Sequence, residues 1–210
     1  MASTQPDEDD TAPTNEEAQV GAGPRARIRR HPERAVPERT DEILRAGRVA
    51  HVGFAVEGQP FVIPLMYLYE DCIIYLHGAP ASRTLQQLRS GTPVCIEVTL
   101  MDGLVASRDA KSHSMNYRSA IVFGTATPIT GLEEKRAMFE RLIQRNFPGR
   151  TAGIDYLPAR EGDLRAVEVV AVKIEDYNAK TRSGPPLGTH DAEEDGPGSR
   201  FVVPLPGIDA

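Results

Sequence analysis

A short apolar run, Ile73-Ile74-Tyr75-Leu76, gives way to His77-Gly78-Ala79-Pro80-Ala81-Ser82-Arg83-Thr84 and then to Leu85 and Leu88 at helical spacing. This is the pattern of a strand, a small-residue loop and a helix start that carries two hydroxyls and a guanidinium. The first N–H groups of a helix lack intrahelical partners and lie at the positive end of its dipole. In that place Ser82, Arg83 and Thr84 form a seat for an anion, above all a phosphate. From the residues alone Arg83 reads equally as a solvated cation on a helix surface, so the seat depends on Ser82, Thr84 and the preceding loop acting together.

Other reactive side chains are sparser. His77 ends the strand, where an imidazole serves either as a ligand or catalytic group or as a hydrogen-bond partner of a loop carbonyl. Arg118 interrupts an apolar strand pattern and needs a partner, either a phosphate or a carboxylate. His51, His113 and His190 occur singly, without HxH, HExxH or Cys/His spacing, and are assigned no metal role. Ser112-His113-Ser114 lacks the G-x-S-x-G elbow of a hydrolase and reads as a loop. Cys72 and Cys95 stand in apolar strand-like runs with no CxxC, which predicts buried reduced thiols and a cytoplasmic protein.

The net charge of −6 over 210 residues is not a property of the fold, because Asp7, Glu8, Asp9, Asp10, Glu16 and Glu17 precede any Lys or Arg. Between residues 21 and 184 basic residues slightly outnumber acidic ones, which suits a small anionic ligand better than a nucleic-acid groove. The start of the chain lacks a basic, then apolar, leader, and no run reaches the roughly 18 apolar residues of a membrane span. A soluble protein with neither nucleic acid nor membrane as partner is therefore expected. Residues 1–24 are polar and acidic and predict a disordered tail. Residues 25–184 form the predicted domain, and 185–210 an extended tail in which 201–205 can dock as a strand or clamp. The basic stretch 25–34 reads as a strap along the domain rather than a nucleic-acid arm, since no aromatic residues are interleaved for stacking.

The elements that must position these groups follow from periodicity. A helix is predicted over 37–47, with acids early, Arg45 late and Gly47 at the stop. Strands 49–56 and 60–68 flank Glu57-Gly58-Gln59 as a hairpin, and a third strand, 72–76, follows the turn Glu70-Asp71. A helix near 82–89, a strand over 94–100, a turn at Asp102-Gly103 and a strand over 104–107 come next. The long segment 117–129 reads as a curved strand with Gly124 at a bend or close backbone approach. A helix over 132–146 and a closing strand over 167–174 complete the domain. Consecutive strands that pair as hairpins favour a mainly β fold with flanking helices, a small antiparallel barrel rather than a parallel sheet.

The order of Pro60-Phe61-Val62-Ile63-Pro64-Leu65, then Ile74-Tyr75-Leu76-His77-Gly78-Ala79, then Tyr117-Arg118-Ser119-Ala120-Ile121-Val122-Phe123-Gly124 resembles the pyridoxamine-5′-phosphate-oxidase-like flavin-binding split-barrel superfamily. Within it the chain is most similar to the branch of 5-nitroimidazole-resistance and flavin-nucleotide-binding proteins, to which Arg30-His31-Pro32-Glu33-Arg34-Ala35 and Lys180-Thr181-Arg182-Ser183-Gly184-Pro185 also correspond. The resemblance covers about residues 29–186. It implies a six-stranded antiparallel split β-barrel, a homodimer, and FMN at the subunit interface.

Carried across residue by residue, the family's Ser-Arg-Lys phosphate pattern falls on Ser82, Arg83 and Thr84. Thr84 replaces the lysine, which removes one charge-assisted contact that Arg118 or Lys180 would have to supply. His77, followed by Gly78, takes the place of the branch's active-site histidine. The backbone of Val62, Ile63, Pro64 and Leu65 would flank the isoalloxazine ring, and Tyr117, Arg118 and Ser119 match a motif of the branch. These assignments imply an FMN-dependent oxidoreductase acting on a small molecule, a nitro-aromatic compound being one concrete version. The alternatives are a flavin- or haem-binding carrier or sensor without turnover, with His77 as the iron ligand, and a deazaflavin-dependent reductase.

Overall fold

A computed structural model describes residues 23–196 and 198–205. The acidic tail expected over 1–24 therefore lies, but for its last two positions, outside the described residues. Among the described residues there are seven strands: β1 (Val49–Val56), β2 (Gln59–Glu70), β3 (Ile73–Gly78), β4 (Val94–Ala106), β5 (Ser114–Pro128), β6 (Glu168–Arg182) and β7 (Phe201–Pro204). Four α-helices accompany them: α1 (Thr40–Ala46), α2 (Arg83–Arg89), α3 (Leu132–Asn146) and α4 (Glu161–Ala166).

Every strand pairing is antiparallel, in the order β1-β2-β3-β6-β5-β4, and β1 returns to β4 to close a ring of six. That closure is short, limited to His51↔Glu97, Val52↔Ile96 and Gly53↔Cys95. Further along β4, Gly103 to Ala106 pair instead with β7, so the predicted docking of the C-terminal segment is an added strand. Alternation places Ala50, Val52, Phe54, Ile74, Leu76, Val94, Ile96, Val98, Val122, Val170 and Val172 inside the ring. Ile43 and Leu44 of α1 and Leu85 and Leu88 of α2 join this core, each at most 2 % exposed. Burying such a side chain is worth about 1.5–3 kcal/mol, so the two short helices are held by the barrel rather than by propensity.

Three local expectations need correction. Cys72 is not in a buried strand: with Asp71 it forms the two-residue turn between β2 and β3, at φ 62° and 49°, and it is exposed. Both residues adopt the left-handed conformation that a tight hairpin requires, as Glu57 and Gly58 do between β1 and β2. Asp102-Gly103 is not a turn. It is a β-bulge inside one continuous β4, where the register to β5 skips a residue between Met101 and Gly103. Gly103 is needed there because a Cβ would lie 2.9 Å from the Val203 carbonyl oxygen of β7. Finally, β6 continues well beyond residue 174, to Arg182, and α4 precedes it where no helix was predicted.

Helix α3 packs outside the ring, burying Met138 and Leu142 against Leu68, Ile129 and Val169. Its terminal Arg145 reaches back to the end of α1 and donates to the Leu44 and Arg45 carbonyls at 3.0 Å, with its guanidinium 4.7 Å from the Tyr67 ring centre. The last carbonyls of α1 are thus satisfied from another helix. The basic stretch is a strap: buried Asp176 accepts from the amides of Gly23, Arg25 and Ala26, and Ala35 bridges to Lys180.

Candidate functional site

Strand β2 pairs with β1 from Gln59 to Met66, but with β3 only from Tyr67 to Glu70. Beyond the pair Tyr67↔Leu76 the two strands part, and His77 and Gly78 continue against Val169 and Glu168 of β6. The sheet forks at His77. Among the described residues no strand pairs with the free edge of β2 over 59–66, so those backbone groups of the 62–65 segment that face away from β1 are open to a ligand, Pro64 offering no N–H.

Helix α2 forms the other wall of the fork. Ser82 is its N-cap, its Oγ accepting from the Leu85 amide at 3.2 Å, which fixes the side chain while leaving its O–H as a donor for an anion. Arg83 is exposed and places its guanidinium 4.4 Å from the ring centre of Phe61, itself stacked on Phe54, which ties the loop to β2. Thr84 is 6 % exposed, inside the first turn. Gly78 lets Leu85 close over the strand end, since a Cβ there would meet Leu85 Cδ2 at 2.9 Å. His77 is half-buried, with its ring edge-on to Phe139 at 5.0 Å. Burial holds this imidazole below its ordinary range, so it is neutral near pH 7.

Alternation along β2 points Ile63 and Leu65 toward the barrel and leaves Val62, Pro64 and Met66 outside. Beside Val62 the outer faces of β1 and β4 carry His51, Gly53, Cys95 and Glu97, which line an open depression of about 360 Å³. His51 Nδ1 lies 3.5 Å from a Glu97 carboxylate oxygen, and Thr99 donates its hydroxyl to the other oxygen. The Cys95 thiol is pushed up by burial and by Glu97. Sequence reading missed this cluster because its members are far apart in the chain. The available signal was period-two spacing, His51 with Gly53 and Cys95 with Glu97 sharing one face of adjacent strands.

The remaining predicted residues lie elsewhere. His77 pairs with Val169 near the start of β6, whereas Ser119 pairs with Lys180, eleven residues on. At that far end Arg118 donates to both oxygens of Asp102, at 2.7 and 3.0 Å, and sits 3.8 Å from Glu42. Of the two partners open to Arg118, the structure supplies the carboxylate, which raises the guanidinium's already high pKa. Lys180 Nζ donates to the Arg30 carbonyl at 3.0 Å, and Ser119 Oγ to the Lys180 carbonyl at 3.4 Å. Tyr117 pairs with Met101 and Arg182. The fold brings Arg83 to the β2 edge at Phe61 and sets His77 and Gly78 where β2 and β3 part; Ser82 and Thr84 are built into the start of α2, and Tyr117, Arg118, Ser119 and Lys180 lie at the other end of the barrel.

No curated protein sequence matches the chain. Among solved structures, the flavocytochrome Anf3 of Azotobacter vinelandii is 29% identical, covering 89% of this chain and 86% of its own, with a TM-score of 0.79. An FAD and haem-binding protein of Mycobacterium smegmatis is 30% identical over 82% of this chain and 84% of its own, with a TM-score of 0.74. A 5-nitroimidazole antibiotic resistance homologue from Bacteroides thetaiotaomicron is 25% identical over 70% of this chain and 85% of its own, with a TM-score of 0.58. The family model described as pyridoxamine 5′-phosphate oxidase matches residues 37–181, the span that builds the six-stranded ring. With more than half of its length matched, the chain belongs to the pyridoxamine 5′-phosphate oxidase family.

Proposed function

We propose that the chain is a flavin-binding redox protein that seats its cofactor in the fork beside β2 and works as a homodimer. The unpaired edge of β2 carries this reading: a flat ring with donors and acceptors along one side can use the outward backbone groups of the Val62, Ile63, Pro64 and Leu65 segment, Pro64 having no N–H to offer. Arg83, fixed beside Phe61 at the same edge, supplies the charge for the phosphate. With Thr84 buried in the first helical turn, anchoring rests mainly on that guanidinium, with the Ser82 O–H as a second donor.

A bound flavin supplies one- and two-electron transfer. The chain anchors the phosphate, aligns the ring and presents His77, neutral at pH 7, as a hydrogen-bond partner at the mouth of the fork. FMN fits the single phosphate seat. FAD is the competing occupant, since one relative near 30% identity is an FAD and haem-binding protein. Reduction of a small nitro-aromatic compound is the substrate reading, supported by the resistance homologue. Dimerisation is supported by Val49, Val62, Met66 and Met101, 43–63% exposed on the outer faces of β1, β2 and β4.

Titration of the purified chain with FMN and FAD in turn, followed by flavin absorbance and fluorescence, tests the proposal. Saturable uptake of one of them, weakened by Arg83→Ala, is expected, and sedimentation should give a dimer. A chain that takes up neither flavin sinks it. A second reading adds haem to the flavin: two relatives that align over more than four fifths of both chains are a flavocytochrome and an FAD and haem-binding protein.

A further inference from the structure

We propose that the exposed face which β7 builds on the ends of β4 and β5 is a contact surface for a second copy of this chain, an inference that rests on the homodimer reading above. Register sets Met115, Leu104 and Val203 in one row across β5, β4 and β7. Alternation adds Phe201 beside Val203, and Met101 of β4 lies just across the bulge. Met115 shares the side of β5 that carries Tyr117, opposite the core residues Ala120 and Val122, so the row faces away from the barrel interior. All five side chains are large, uncharged and 37–52% exposed.

Strand β7 is firmly fastened although none of its four side chains is buried. In the segment before it, Asp191 is 2% exposed and accepts from the Ser107 hydroxyl at 2.7 Å and from the Arg108 and Gly188 amides at 2.9 and 2.6 Å. Asp109 accepts from the His190 amide at 2.9 Å, and Arg108 donates to the His190 and Glu194 carbonyls. After the strand, the Leu205 amide donates to the Asp102 carbonyl at 3.1 Å. A strand that only shielded the edge of β4 would need its backbone alone, and polar side chains would suit it better in water. Phe201 and Val203 instead enlarge an apolar patch, which marks a surface that another molecule covers.

Continuity points to a second copy as that molecule. The outer side of β4 runs from Glu97 through Thr99 and Met101 to Leu104, so the row extends the face that carries Val49, Val62 and Met66 on β1 and β2. One continuous face can meet its own image about a two-fold axis. The row carries no charge to recognise a polyanion. The outer edge of β7, unpaired among the described residues, is four residues long and ends at Pro204, too short to hold an extended peptide by strand addition.

Sedimentation equilibrium of the full chain and its variants over a range of concentrations tests the assignment. Phe201→Asp with Val203→Asp should weaken the dimer by at least about 10-fold. Phe201→Thr with Val203→Thr keeps β-branched residues in the strand and should weaken it in the same direction, which covers the case in which the charged variant fails to fold. Ile154→Asp with Leu157→Asp alters apolar side chains that are 83 and 90% exposed on a different segment, and should leave the dimer as it was. Unaltered dimer affinity in the Thr variant, or an equal loss in the Ile154 and Leu157 variant, overturns the assignment of β7 alone. An unaltered chain that stays monomeric at every concentration overturns the homodimer reading and the assignment together.

Discussion

The two groups of motif residues differ in one physical respect: at the far end of the barrel Arg118, Ser119 and Lys180 are answered within the chain, and at the fork the edge of β2 is not. Arg118 has Asp102, Lys180 has the Arg30 carbonyl, and the strand backbones are paired on both sides of β5. At the fork, β2 leaves one edge unpaired and Arg83 faces an aromatic ring rather than a carboxylate. An exposed strand edge is satisfied by water until a ligand or another chain replaces it, so the unpaired edge of β2 is where an added partner can bind. On the proposed reading, the same motif vocabulary serves construction at one end and binding at the other.

The largest way to break this contrast is to remove the wall of the fork. Leu85 is 2 % exposed and fixes α2 in the barrel core, so Leu85→Ala should lower stability by about 2–5 kcal/mol in denaturant unfolding. Flavin affinity should fall with it, because the Arg83 loop loses its base. A variant that unfolds earlier but binds flavin normally would place the ligand away from α2.

Arg83→Ala separates binding from stability. Loss of a charge-assisted phosphate contact should weaken flavin binding by about 1.5–3 kcal/mol. Unfolding should change little, since the exposed contact with Phe61 is worth about 0.5–1 kcal/mol. Equal losses of affinity and stability would assign Arg83 to construction, as at the far end.

Much of the contrast was hidden in the sequence for a definable reason. Hairpin turns at Glu57-Gly58, the helix over Leu132–Asn146 and the strand–loop–helix around His77 are local patterns, and each was legible. The partner of Arg118 was not, because Asp102-Gly103 carries turn chemistry and only the β4–β5 register turns it into a bulge that presents the carboxylate. Thr84 was read as a phosphate donor because residue type does not reveal which face of the first helical turn meets the core. His51 and Glu97 become neighbours only when β1 closes onto β4, a contact between strands about 45 residues apart in the chain.

Arg118→Ala probes the closed end. Both partners are about a third exposed, so the loss should be modest, about 0.5–1 kcal/mol of stability, measured by the shift of the denaturant midpoint. Flavin affinity should be unchanged if Arg118 serves only Asp102. A clear drop in affinity would mean that the far end reaches a cofactor across the dimer, and the division drawn above would have to be redrawn with one end of each copy completing the other.

The smallest effect concerns His77 and pH. Burial lowers its folded-state pKa below the ordinary value of about 6.5. Below that value the unfolded chain takes up a proton that the folded chain resists, so the folded state loses stability as pH falls toward the depressed pKa. At neutral pH both states carry a neutral ring and the contribution is fully present. His77→Phe keeps an aromatic ring against Phe139 while removing the titration, so its unfolding midpoint should fall less steeply between about pH 7 and 5 than that of the unaltered chain. Flavin bound in the fork would bury the imidazole further and steepen the slope of the unaltered chain alone. An identical slope with and without flavin would mean that the cofactor does not approach His77, leaving β2 and Arg83 as its only contacts on this side of the fork.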